Sequence, residues 1–92
     1  MKLMPIKQAQ AKLFNAASDK RLQEIALRTF KKDRSVALQR EGDGWVLIEE
    51  GFEARRTALP FGPAGKRLVK EAFKREFPRS TRAYVEEVRR AG

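Results

Sequence analysis

The stretch Arg34-Ser35-Val36-Ala37-Leu38-Gln39-Arg40-Glu41-Gly42-Asp43-Gly44-Trp45-Val46-Leu47-Ile48-Glu49 decides the fold class. Its two arms have the composition of strands, and Glu41-Gly42-Asp43-Gly44 between them supplies residues that tolerate the positive φ of a hairpin turn. With Gly42-Asp43 as the turn centre, Arg40 faces Trp45 and Leu38 faces Leu47. That register puts Val36, Leu38, Trp45 and Leu47 on one side and Ala37, Val46 and Ile48 on the other, so both faces are expected to be at least partly covered. Glu50-Gly51 gives a second reversal into Phe52-Glu53-Ala54-Arg55-Arg56-Thr57-Ala58-Leu59. Pro60 ends that run because it has no N–H to donate. The expected product is a three-stranded antiparallel meander.

N-terminal to the meander, residues 5–32 read as helical. Pro5 suits a first helical turn, and Ile6, Ala9, Leu13 and Ala17 recur at helical spacing. Leu22, Ile25, Ala26, Thr29 and Phe30 form a second periodic run, for which Ser18 or Asp19 is a capping residue. One bent helix and two helices fit equally, and residues 1–17 read as a candidate N-terminal helical extension of a single domain spanning residues 1–92. C-terminal to Pro60-Phe61-Gly62-Pro63, a helical stripe runs through Leu68, Val69, Ala72, Phe73 and Phe77 until Pro78 stops it. Thr81–Val88 fits either a fourth strand or a short helix capped by Ser80; the strand is preferred because it adds an edge partner to the sheet. The predicted fold class is α+β, an antiparallel three- to four-stranded sheet with helices packed on one face, in the order α-β-β-β-α-β.

Composition narrows the function. The 92 residues suit one domain, and 41% hydrophobic with 36% charged residues suits a folded one. There is no Cys and no His, which removes disulfides, thiolate metal sites and the side chain best suited to proton transfer near neutral pH. An enzyme is therefore not expected, and neither is a metal or other cofactor. Glu49, Glu50 and Glu53 are the acidic cluster to weigh for a divalent metal, but consecutive strand residues point to opposite faces. No apolar run has the length of a signal peptide or of the ~20 residues of a membrane span, so a soluble cytoplasmic protein without a membrane partner is expected.

The formal charge of +9 favours a polyanionic partner. Residues 1–32 carry eight basic and two acidic side chains, residues 33–61 four and six, and residues 62–92 nine and four. The excess thus sits on the helices and the C-terminal segment, which favours a groove beside the helices over the sheet centre, where phosphates would meet Glu49, Glu50 and Glu53. On the last helix Lys66, Lys70 and Lys74 repeat every four residues and form one row, with Arg67 and Arg75 beside it. Such a row is also what the solvated face of any amphipathic helix looks like. Arg55-Arg56 should send one guanidinium to each sheet face, and Arg79 and Arg82 extend the basic edge. Unpaired bases stack on aromatic rings of any neighbouring sequence, and Trp45, opposite Arg40, and Phe61, in its Pro/Gly loop, are the preferred stacking candidates, with Tyr84 a further one. Phe14, Phe30, Phe73 and Phe77 lie on apolar helical faces and read as core.

The segment Lys74-Arg75-Glu76-Phe77-Pro78-Arg79-Ser80, together with a layout of two helices and four strands, resembles small archaeal single-stranded DNA-binding proteins of the Thermo-DBP type over residues 20–90. The resemblance implies a cleft of apolar and basic side chains that takes unpaired DNA. In second place, the α-β-β-β-α order and Lys66-Arg67-Leu68-Val69-Lys70 look like the second helix of a double-stranded RNA-binding domain, although the His-bearing loop of those domains is missing. The expected function is non-catalytic binding of nucleic acid with little sequence preference, single-stranded DNA being favoured over RNA. The alternative is a homodimeric protein-interaction module, because the run from Ile6 to Ala17 offers more apolar surface than a small sheet covers and a free sheet edge can pair with a second copy.

Overall fold

The structure is a computed structural model and describes residues 2–90. The elements run β1 (Lys2–Pro5), α1 (Ile6–Phe14), a 3-10 turn (Ala16–Ser18), β2 (Leu22–Thr29), β3 (Ser35–Glu41), β4 (Gly44–Glu50), β5 (Arg55–Ala58), α2 (Pro63–Glu76) and β6 (Arg82–Arg89). The strands make one six-stranded sheet in the order β1-β6-β2-β3-β4-β5. Every neighbouring pair is antiparallel. The class is α+β, as expected, but the sheet has six strands rather than three or four, and the order is β-α-β-β-β-β-α-β rather than α-β-β-β-α-β.

The central hairpin has the register read from its sequence. Arg40 pairs with Trp45, Leu38 with Leu47 and Ala37 with Ile48, and Gly42 takes a φ of 59° at the turn. Across β4 and β5, Glu49 pairs with Arg55 and Ile48 with Arg56, so the two arginines do face opposite sides. Helix α2 also lies where its stripe predicts, burying Val69, Ala72 and Phe73.

Three readings are corrected. Residues 22–29 are not helical; they form β2, at the middle of the sheet between β6 and β3. The pairing of β2 with β6 slips between Leu22 and Glu24, and such a bulge changes the phase of inward-facing residues. Leu22, Ile25 and Leu27 are all buried, and the three-residue step from Leu22 to Ile25 imitates a helical repeat. Residues 2–5, read as part of an N-terminal helical extension over residues 1–17, are strand β1, paired with β6. Strand β6 is indeed a strand, but it lies between β1 and β2 instead of capping an edge.

Both helices cover the same sheet face. Met4 from β1, Ala9 and Leu13 from α1, Ile25 and Leu27 from β2, and Val69, Ala72, Phe73 and Phe77 from α2 and its end share one core. Full burial of a residue such as Leu27 contributes about 1.5–3 kcal/mol. Phe73 meets Phe14 edge-on at 5.7 Å and stacks on Phe77 at 5.2 Å, which ties α2 to α1. Helix α1 therefore spends much of its apolar face inside the chain, burying Ala9 and Leu13, which reduces the surplus surface on which the homodimeric alternative rested. No helix among the described residues is long and apolar enough to cross a membrane.

Candidate nucleic-acid interface

Helix α2 starts at Pro63, after Gly62 at a φ of 76°. Gly65 in its first turn has no room for a side chain, because a Cβ there would stand 2.2 Å from the carbonyl oxygen of Pro60. The N–H of Leu59 donates to the carbonyl of Trp45 at 2.8 Å, so the loop carrying Phe61 is pinned both to β4 and to α2. Close backbone packing thus sets Phe61 and Trp45 beside the start of the lysine row.

Two hollows open along α2. One, of about 320 Å³, is lined by Leu13, Phe14, Asn15, Ala17, Ser18, Leu38, Trp45, Leu59, Pro60, Phe61, Gly62, Gly65, Lys66, Val69 and Lys70. The other, of about 720 Å³, is lined by Gln10, Phe14, Lys70, Phe73, Lys74, Phe77 and Pro78. Phe14 and Lys70 line both, so the hollows adjoin and together follow α2 as an interrupted groove beside α1. Neither hollow is lined by an Asp or a Glu. Lys66, Lys70 and Lys74 are exposed and, among the described residues, none of them makes an ion pair. Phe61 is 80% exposed beside the first hollow, where its ring is open to a ligand.

Of the residues singled out in the sequence, Trp45, Phe61, Lys66, Lys70 and Lys74 come together in this groove. Arg40 borders it in a supporting role. Its Nε donates to the carbonyl of Leu22 at 3.1 Å and its Nη2 to that of Asp19 at 3.0 Å, and its guanidinium lies 4.5 Å from the centre of the Trp45 ring. It holds the 19–22 turn and covers part of the indole. Arg67 is exposed on α2 but lines neither hollow. Arg55 and Arg56 lie on the β5 edge and are paired, with Glu53 at 3.5 Å and with Glu41 respectively. Arg79 follows the groove end at Pro78, whereas Arg82 and Tyr84 belong to the sheet face that the helices leave bare.

Phe14, Phe73 and Phe77 were read as core, and they are also groove walls: Phe73 and Phe77 are buried, while Phe14 is half-buried with the Lys70 nitrogen 5.8 Å from its ring centre. The sequence signal for this was the placement of Lys70 and Lys74 next to Phe73 and Phe77 on the same helix. Phe30, also read as core, is instead 52% exposed.

The acidic cluster is accounted for differently. Glu49 faces the helices, 1% exposed, and accepts from Nε of Arg75 at 2.9 Å and from its Nη2 at 2.8 Å. That guanidinium holds the Glu49 carboxyl below its usual pKa range. Glu76, also buried, accepts from the N–H groups of Phe52 and Glu53 at 2.8 and 3.1 Å, and its burial, with Glu49 nearby, pushes its pKa up. Phosphates over the sheet would thus not meet Glu49, contrary to the expectation. Among the described residues no group of three or more His, Cys, Asp or Glu is placed to hold a metal ion.

Comparison with protein-family models, curated proteins and solved structures finds no match.

Proposed function

We propose that the chain is a non-catalytic binder of single-stranded nucleic acid, DNA in the first place, held in the groove between α1 and α2. The observation that carries this reading is that three lysines, without an ion pair among the described residues, border a groove with aromatic walls and no acidic lining residue. Residues four apart on a helix rise about 6 Å along its axis, close to the phosphate spacing of an extended single strand. Lys66, Lys70 and Lys74 would then take successive phosphates, while bases turn inward onto Phe14, Phe61 and the open part of Trp45. Stacking of that kind tolerates any base, so little sequence preference is expected. A cleft of apolar and basic side chains is also what the resemblance to Thermo-DBP-type proteins implies. A duplex fits less well: its bases are already stacked on one another and offer no free faces to the groove.

Fluorescence anisotropy with labelled single-stranded DNA, single-stranded RNA and duplexes, at low and physiological salt, tests the reading. Preferential single-strand binding that weakens steeply with salt, accompanied by a change in Trp45 emission, is expected. Equal affinity for duplex and single strand, or an affinity indifferent to salt, overturns it.

A further inference from the structure

The sheet face opposite the helices carries a second group of aromatic and basic side chains. Phe30, at the end of β2, is 52% exposed, and its ring lies parallel to that of Tyr84 on β6, 6.2 Å away and within 6°. The Arg82 guanidinium stands 4.4 Å from the Phe30 ring centre and the Lys32 nitrogen 4.8 Å from that of Tyr84. The two rings and the cation over each gather aromatic and cationic groups into one patch, of which Phe30 is the more exposed part.

Several features hold this patch in place. Lys32 sits at a φ of 63°, in the left-handed region that non-glycine residues seldom adopt. Its N–H donates to the carbonyl of Thr29 at 2.8 Å, and the Thr29 hydroxyl donates to Asp33 at 2.8 Å while accepting from the N–H of Arg34 at 3.3 Å. The hairpin tip is thereby folded so that Lys32 returns over Tyr84. Asp33 is engaged by Thr29 and Glu86 stands 3.9 Å from Arg28, while Glu24 and Glu50 line a hollow on the same face that Arg28, Lys32 and Asp33 also border. Lys31, Lys32, Arg79 and Arg82 make no ion pair among the described residues.

The groove on the other face ends at Phe77 and Pro78, and Arg79 is the next residue. From Pro78 to Arg82 is four residues, at most about 14 Å of extended chain. A strand leaving the groove would pass Arg79 and meet Arg82 and Phe30 at the near edge of the bare face.

We infer that Phe30 and Tyr84 form a second contact for the same single strand, on which bases stack in place of the Arg82 and Lys32 cations, which turn aside to take the flanking phosphates, so that a long strand is followed from the helical face round to the bare face. This rests on the groove reading for the first part of the path. Aromatic side chains on an open sheet face, flanked by cations, are a general means of stacking unpaired bases.

The test compares oligothymidylates of about 6 and about 20 nucleotides, lengths chosen to fall near the lower end of and beyond the site size of one small domain. The full chain is compared with Phe30→Ala, Arg82→Ala and Lys70→Glu, each checked for folding by circular dichroism. Phe30→Ala is expected to weaken binding of the long oligonucleotide about tenfold. Arg82→Ala should act in the same direction, and both should leave the short one nearly unchanged, whereas Lys70→Glu weakens both lengths. If Lys70→Glu weakens both and the other two variants change neither, the second contact fails and the groove reading survives. If Phe30→Ala weakens both lengths and Lys70→Glu neither, the groove reading fails, and with it the path proposed from groove to patch.

Discussion

The side-chain nitrogen of Lys70 stands 5.8 Å from the centre of the Phe14 ring, and both residues line each of the two hollows along α2. A cation over an aromatic wall offers a phosphate and a base their respective contacts in one place, so this pair is where binding is most sensitive. Lys70→Ala should lower single-strand affinity more than Lys66→Ala or Lys74→Ala. Replacing all three lysines by Ala should reduce the slope of log affinity against log salt by about 2, at about 0.7 per lost phosphate contact. Titrations at several salt concentrations read both effects.

Phe61 is almost bare, so its loss should cost little folding stability. Phe61→Ala is expected to leave the thermal midpoint nearly unchanged and to weaken single-strand binding about tenfold, within the ~1–3 kcal/mol typical of one stacked base. Equal losses of stability and affinity would instead make Phe61 a structural plug.

Glu49 should matter most near neutral pH. Its folded pKa lies below the usual value, so the stability it confers is present above the unfolded value of about 4.3 and lost as pH falls through the folded one. Glu49→Gln is expected to cost about 2–3 kcal/mol at neutral pH, under the ~3–5 kcal/mol of a fully buried pair, because Arg75 remains 29% exposed. Urea denaturation across the acid range should show the gap to wild type closing as pH falls.

Glu76 should behave oppositely. With its folded pKa raised, the stability linked to its protonation is present below the unfolded value and lost as pH rises through the folded one. Glu76→Gln should therefore gain on the wild type between acid and neutral pH, in the same denaturation series. A gap that does not change with pH would rule this out.

Gly65→Ala sets two opposed effects against each other. Helix propensity favours Ala by up to ~1 kcal/mol. A Cβ 2.2 Å from the Pro60 carbonyl must push α2 away from the loop, which belongs at the upper end of the ~1–3 kcal/mol range for overpacking. Net destabilisation is expected, with a lower thermal midpoint and weaker single-strand binding as Phe61 and Lys66 move apart.

The parts of the fold legible in the sequence are those whose signals are local. The β3–β4 register follows from Gly42-Asp43 and the alternation on either side, and α2 from its stripe and flanking prolines. Strand β2 was hidden because Leu22, Gln23, Glu24, Ala26, Leu27 and Arg28 all favour helices, and only pairing with β3 and β6 holds them extended. Strand β1 is four residues long and ends in proline, too short for its alternation to register.

The site was legible to a similar degree. The lysine row and the two aromatics in or beside turns could be picked out from spacing and composition. Their convergence with Phe14 depends on how α1 and α2 pack, and the exposure of Phe30 on β2 being a strand. Neither follows from any single segment.

The position of β6 has a consequence for how the chain is made. Arg82–Arg89 joins β1 to β2, so the earliest described strand has no sheet partner until the latest one is available. During synthesis the β2–β5 meander can pair as it emerges, but Lys2–Pro5 must wait until Arg82–Arg89 has cleared the ribosome, and the apolar faces of β2 and α1 stay without their full cover until then.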